Sequence, residues 1–137
     1  MNEKSPEFSD EELLAKIKSN ADGLVYMSET DSDVRAFFAG PVTNDDIRSA
    51  ITQLDNREPV EEISFEDFFP RLTTERDWYG AKEKEKAGQF ARLKQLLVEN
   101  LKGLKVFKVG HIQRTIYAAG ISNTGNLLGV KMDAVET

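Results

Sequence analysis

Leu104-Lys-Val-Phe-Lys-Val109, Ile112-Gln-Arg-Thr-Ile-Tyr-Ala-Ala119 and Leu127-Leu-Gly-Val-Lys-Met-Asp-Ala-Val-Glu-Thr137 are three strand-like runs, separated only by Gly110-His111 and by Ser122-Asn-Thr-Gly-Asn126. In the third run Leu128, Val130, Met132 and Ala134 fall on one face, the period of two that marks a strand with one face buried. Connections this short favour an antiparallel meander. Helices and strands mix upstream of it. The pattern therefore predicts an α+β fold in which helices cover a largely antiparallel sheet.

Working back from the meander, Ala81 to Leu101 reads as the longest helix, with Phe90, Leu93, Leu97 and Leu101 as its buried stripe and Gly103 closing it. Ser9-Asp-Glu-Glu12 is a capping box. It starts a helix carrying Leu13, Leu14, Ile17, Ala21 and Leu24, which Asp22-Gly23 ends. Leu24 to Met27 is a short apolar run, and Ser28 to Asp33 reads as a polar, acidic loop. Val34 to Ala39 reads as a strand stopped by Gly40-Pro41. Thr43 with Asp46 caps a second helical stripe of Ile47, Ala50, Ile51 and Leu54. Val60 to Ile63 is a short strand candidate. Ser64 caps a third helix with Phe65, Phe68, Phe69 and Leu72, which Pro70 limits to about two turns. Thr74-Glu-Arg-Asp77 is a further cap pattern ahead of Trp78 and Tyr79. Residues 1–8 are polar and expected to be disordered; residues 9–137 are expected to form one domain.

The formal charge of −6 argues against non-specific nucleic-acid binding, which rests on lysine and arginine neutralising phosphates, and suits attraction to a basic partner. With no cysteine there is no disulfide framework, thiol nucleophile or thiolate metal site. No apolar run approaches the roughly 18 residues that a membrane span needs. Met1-Asn-Glu-Lys-Ser-Pro-Glu-Phe8 lacks the apolar region of a signal peptide. The expectation is a cytoplasmic protein.

Motifs for catalysis are scarce. The single histidine, His111, sits in a tight strand-to-strand turn, and no Gly-x-Ser-x-Gly elbow supplies a nucleophile for it. There is no phosphate-binding glycine loop and no His-Glu-x-x-His. Asp31-x-Asp33 hints at a calcium loop, but Arg35 and Ala36 stand where that loop needs a ligand and a glycine. The 24 acidic residues offer many carboxylate pairs, and nothing singles one out. What remains is a candidate binding surface: the acidic loop with Glu29 and Asp31, and Trp78 and Tyr79 beside Arg76 and Asp77, a composition shared by interface hot spots. Trp78 is equally at home in a core.

Taken in order, Ala21-Asp-Gly-Leu-Val-Tyr-Met-Ser-Glu29, Phe65-Glu-Asp-Phe-Phe69, Thr73-Thr74 with Asp77-Trp-Tyr79, Phe90 to Leu101, Gly120 with Gly125-Asn-Leu-Leu128, and Val135-Glu-Thr137 resemble the nuclease A inhibitor family of cyanobacterial type. The resemblance implies a three-layer α/β/α sandwich that inhibits a sugar-non-specific DNA/RNA endonuclease of the ββα-metal kind and is not itself an enzyme. It implies that Glu29 and the C-terminal Thr137 approach the nuclease's catalytic divalent metal, usually Mg²⁺, and that Asp77 and Trp78 join the contact surface. Arg76 stands where the family's pattern has Gln. A cation there opposes a basic target site or marks a different partner, so a non-catalytic binding module on the same scaffold stays open as the alternative. The protein is expected to hold no cofactor of its own, since a glutamate and one terminal carboxylate are too few ligands for a dedicated Mg²⁺ or Ca²⁺ site. It is also expected to bind no nucleic acid or membrane directly, and to be a monomer when free.

Overall fold

The computed structural model describes residues 8–69 and 80–136. Along the chain these form α1 (Asp10–Ala21), β1 (Val25–Met27), β2 (Asp31–Asp33), β3 (Arg35–Pro41), α2 (Ile47–Leu54), β4 (Val60–Ile63), α3 (Phe65–Phe68), α4 (Ala81–Asn100), β5 (Lys102–Gly110), β6 (Gln113–Ile121) and β7 (Asn126–Val135). The three runs that suggested a meander pair as consecutive antiparallel strands. With β3 and β4 added at the edges they make a five-stranded sheet of order β3-β7-β6-β5-β4, antiparallel at every step. β1 and β2 form a separate two-stranded hairpin.

The period of two in β7 sorts its side chains as the sequence predicts. Leu128, Val130, Met132 and Ala134 enter one buried cluster with Val106, Ile116 and Ala118. Leu13, Ile17 and Ala21 of α1 and Phe90, Leu93 and Leu97 of α4 cover that cluster. Burying a side chain of this size contributes roughly 2 kcal/mol, so the α4 stripe outweighs the polarity of the helix's other face. Leu127 points the opposite way and joins Phe37, Phe107, Tyr117, Ala119 and Ile121 beneath Ile47 and Ile51 of α2. The fold is α+β, with one sheet whose two faces feed different apolar clusters.

The ends of α1 follow local chemistry. The Ser9 hydroxyl accepts from the Glu12 N–H at 3.1 Å and Glu12 reaches back to the Ser9 N–H at 2.9 Å. Gly23 takes the left-handed φ of 78° that ends the helix. Asp10 in the first turn accepts from Thr124 in the β6–β7 turn and from Asn126 at the start of β7, which ties the helix start to β7 and lowers the Asp10 pKa. At its other end, α1 is clamped to α4 by the Gln89 amide, which donates to the carbonyls of Asn20 and Asp22 at 3.2 and 2.7 Å.

Several expectations are corrected. Gly103 does not stop α4. The helix ends at Asn100, the next residue Leu101 is extended, and Gly103, with φ of 66°, lies in β5 where the register to β6 shifts between Lys102 and Lys105. Asp46 caps α2, accepting from the Ser49 N–H at 3.1 Å, while Thr43 opens a short 3₁₀ turn ahead of it; Leu54 is exposed. The acidic loop contains β2. β3 runs on through Gly40 to Pro41 with an irregularity after Phe38. Gly129 is no bend. It pairs with both Phe37 and Ala119, and a Cβ there would overlap the Ala118 carbonyl oxygen. Pro70, Leu72, the Thr74–Asp77 cap and residues 1–7 lie outside the described residues.

Beyond α2 the second face of the sheet is closed by a polar network. Arg57 donates to Asp55 through Nε at 2.9 Å and Nη2 at 2.7 Å, and to the Thr115 hydroxyl at 2.6 Å. The Tyr117 hydroxyl donates to Asp55 at 2.9 Å. Arg57 holds the Asp55 carboxyl down at about 2, against partial burial and with help from Tyr117. Burial, and then the bond to Asp55, push the Tyr117 hydroxyl up. Because the folded carboxyl is depressed, its contribution to stability is complete above the ordinary value of 3.8 and is lost as the pH falls toward 2. Asp55→Asn is expected to destabilise the fold by about 1–2 kcal/mol at pH 7, a charge-assisted bond discounted for the solvent around Arg57. Urea titrations of both proteins should show that gap shrinking as the pH is lowered from about 4 to 2.

Candidate functional site

β7 changes partner part-way along. From Asn126 to Lys131 its outer edge pairs with β3, whose first residue, Arg35, faces Lys131. Beyond that point β3 has ended, and the β1–β2 hairpin takes over through two serine side chains and one backbone bond. The Ser32 hydroxyl accepts from the Asp133 N–H at 2.9 Å, and the Ser28 hydroxyl accepts from the Val135 N–H at 3.0 Å. The Glu29 N–H donates to the Val135 carbonyl at 3.3 Å. Ser28 also donates to the Thr30 carbonyl at 3.0 Å, so one hydroxyl both shapes the hairpin turn and docks it.

Glu29 sits in that turn with its side chain in an exposed position. The sequence placed it in a loop; the structure places it in a hairpin turn bonded to β7 two residues short of Thr137. Thr137, Arg76, Asp77 and Trp78, the other residues expected at the binding surface, lie outside the described residues, as does Tyr79.

On the other side of β7 the Glu136 N–H donates to the Ile112 carbonyl in the β5–β6 turn at 3.0 Å. The Glu136 carboxylate meets Lys108 at 2.8 Å and Arg114 at 3.4 Å, and Arg114 also meets Glu61 at 2.9 Å. The side chains of Lys108 and Arg114 are only 13 and 19 % exposed, so these pairs are less screened than surface pairs such as Arg35 with Asp133, at 42 and 57 %. Arg114 further donates to the His111 carbonyl at 2.8 Å. His111 itself is exposed in the turn.

None of these contacts announced itself in the sequence. Ser28 and Val135 are 107 residues apart, and a serine next to a glutamate reads as loop until its partner strand is known. The alternation of Lys108 against Val106 in β5 was the one signal for a charged position on a core-facing row.

Among the described residues no group of three His, Cys, Asp or Glu side chains is placed to hold a metal ion, and no helix is long and apolar enough to cross a membrane. What the site offers is a glutamate at a docked turn, beside the last described residues of a central strand, next to a compact group of ion pairs.

Comparison with protein families matches residues 11–137 to the nuclease A inhibitor-like protein family. The chain belongs to that family. Comparison with curated proteins returned no match. The family is an inhibitor family by its description, and the match spans α1, the hairpin, the sheet and the site.

Ser28→Ala is expected to leave the Val135 N–H without its acceptor and to cost about 1–2 kcal/mol. Hydrogen exchange should show faster exchange at the amides of Glu29 and Val135, with the β5–β6 ladder unchanged. Unaltered protection at Val135 would mean that the hydroxyl does not dock the hairpin.

Proposed function

We propose that this protein inhibits a sugar-non-specific, metal-dependent nuclease of the ββα-metal kind by occupying its active site, presenting Glu29 and the carboxylate of a C-terminal Thr137 to the enzyme's catalytic divalent metal. The observation that carries this reading is the docking of the Glu29 turn on Val135, two residues before Thr137, in a member of a nuclease-inhibitor family. It holds Glu29 beside Val135 at the end of β7, which supports pairing it with a residue just beyond.

The chemistry supports the pairing. A nuclease holds a hard cation, usually Mg²⁺, with few protein ligands and leaves positions for phosphate oxygens. Carboxylate oxygens are equally hard ligands and can occupy those positions. Two of them make no independent site, so the metal belongs to the enzyme and is shared only in the complex. The formal charge of −6 favours encounter with a basic cleft. Arg76, Asp77 and Trp78 complete the surface by family resemblance, with no catalysis, nucleic-acid contact or second copy of the inhibitor required. The three-layer α/β/α arrangement belongs to the same proposal; α1 and α4 on one apolar cluster and α2 on the other support it.

Purified protein added to several such nucleases should abolish plasmid and RNA cleavage near equimolar ratio. Glu29→Ala, or removal of Thr137, should weaken inhibition by thirty-fold or more, the cost of about 2–5 kcal/mol for one partner lost from a desolvated charged contact. The melting temperature of Glu29→Ala should move by less than about 2 °C. Complex formation should weaken when Mg²⁺ is chelated. Absence of inhibition across the panel would reject the proposal, and recovery of a non-nuclease partner would favour a binding module on the same scaffold.

A further inference from the structure

We infer that Met27 and Ile112 belong to the same partner-binding surface as Glu29, and that these two apolar side chains close on an apolar rim of the nuclease's basic metal cleft and keep water from the Glu29 contact. The inference rests on the proposed role of Glu29.

The sheet brings the three residues to one place. The Val135 carbonyl accepts from the Glu29 N–H, and the next residue, Glu136, donates its N–H to the Ile112 carbonyl. The Glu29 turn and the β5–β6 turn therefore flank the end of β7 from opposite edges. Neighbouring strands lie about 4.8 Å apart, so two such steps separate the backbones of Glu29 and Ile112 by roughly 10 Å. Met27 comes two residues before Glu29 and pairs with Asp31. One position back, Tyr26 stacks on Phe68 at 6.0 Å, and its strand partner Ser32 reaches β7. Side chains alternate along a strand, so Met27 and Asp31 take the outer face of the hairpin. Met27 is 66% exposed and Ile112 47%, and Asp31 is exposed beside Met27.

Exposed apolar side chains scattered singly are ordinary. Among the described residues the other large ones are Phe8, Phe38, Leu54 and Val98. Phe38 pairs with Leu128, Val98 is in the last turn of α4 ahead of β5, and Phe8 precedes α1, whose start is bonded to Asn126. All three lie toward the opposite end of the sheet. Leu54 ends α2 on the sheet's second face. Met27 and Ile112 alone of this set bracket the glutamate. A standard interface covers about 800 Å² of each partner, a disc of about 16 Å radius. A protein seated on Glu29 covers both.

Their effect there follows from the dielectric. The attraction of a carboxylate for a cation rises roughly fourfold when the effective dielectric constant falls from about 80 to about 20. Contacts that surround a charged anchor and exclude water bring about that fall. Half-exposed apolar side chains still have area to bury, so closing the rim is favourable in itself. Glu29 and Asp31 meanwhile present negative charge to the basic floor of the cleft.

The test takes a nuclease that the wild-type protein inhibits and compares Met27→Gln, Ile112→Thr, the pair together, and the same pair in Glu29→Ala, for inhibition, association and dissociation rates, and melting temperature. Each single variant should inhibit about fivefold less well and the pair about twenty-fold less well. The loss should lie in faster dissociation, with association changed by less than about twofold, because charge and not apolar area steers encounter. Melting temperatures should stay within about 2 °C of wild type. In Glu29→Ala the same pair should cost no more than about fivefold, since no metal contact is left to seal. Met27→Leu, Ile112→Val and the distant Val98→Gln should all stay within about twofold of wild type. Equal inhibition by wild type and the Met27→Gln/Ile112→Thr pair overturns the inference. So does a loss of the same size with and without Glu29. If wild type inhibits no nuclease, it is the proposed function that fails, and this inference falls with it.

Discussion

A central strand must have both edges hydrogen-bonded, and β7 meets that requirement with two different devices. β6 lines one edge from Leu127 to Val135. The other edge is shared by β3 and, after Lys131, by two serine hydroxyls and the Glu29 N–H. A hydroxyl can accept from one backbone N–H and donate elsewhere, and it reaches farther from its own backbone than a carbonyl does. The hairpin therefore sits beside β7 as a separate sheet, with a single backbone bond to it. That offset leaves its turn, with Glu29, presented at the end of the sheet instead of merged into it.

The surroundings of this end are held by polar contacts of unequal strength. On one face Lys108, Arg114, Glu61 and Glu136 form a partly buried group. On the other, Asp133 accepts from Thr115 at 3.1 Å, and Thr115 accepts from Arg57, which is paired with Asp55. Among the described residues no buried side-chain nitrogen or oxygen lacks a hydrogen-bond partner. A fully satisfied polar zone is stiff, because breaking any member leaves another unpaired at low dielectric. The sheet's end is thus braced from both faces, although the apolar clusters lie mainly farther along the strands.

How much of this the sequence carried depends on the range of the forces involved. The meander, α1 with its capping box and α4 were legible because periodicity and capping are set within one or two turns of chain. β2 was not, since Asp31-Ser-Asp33 has no apolar period and aspartate disfavours strands; its pairing with Val25, Tyr26 and Met27 makes it one. Gly103 misled for a related reason. A positive φ serves a helix stop and a strand irregularity equally well, and only the register of β5 against β6 tells them apart. At the site, Glu29 was singled out by its acidic loop and then by family resemblance, while Ser28, Ser32 and Glu136 bond to partners far away in the sequence.

On the proposed function, the same distinction bears on how a small contact set would act on a nuclease. Ordering a flexible residue on binding costs about 1–2 kcal/mol of backbone entropy, and this is subtracted from whatever the new contacts gain. Ser28 and Val135 fix the Glu29 turn before any partner arrives, and Ile112, Lys108 and Arg114 fix Glu136. The cost at these positions is met during folding. An acidic surface of mobile side chains with the same formal charge would attract a basic cleft equally from a distance, because steering depends on the summed field. It would bind less tightly on arrival. On the proposed function, affinity follows more from the rigidity with which the Glu29 turn is held than from the number of acidic residues in the chain.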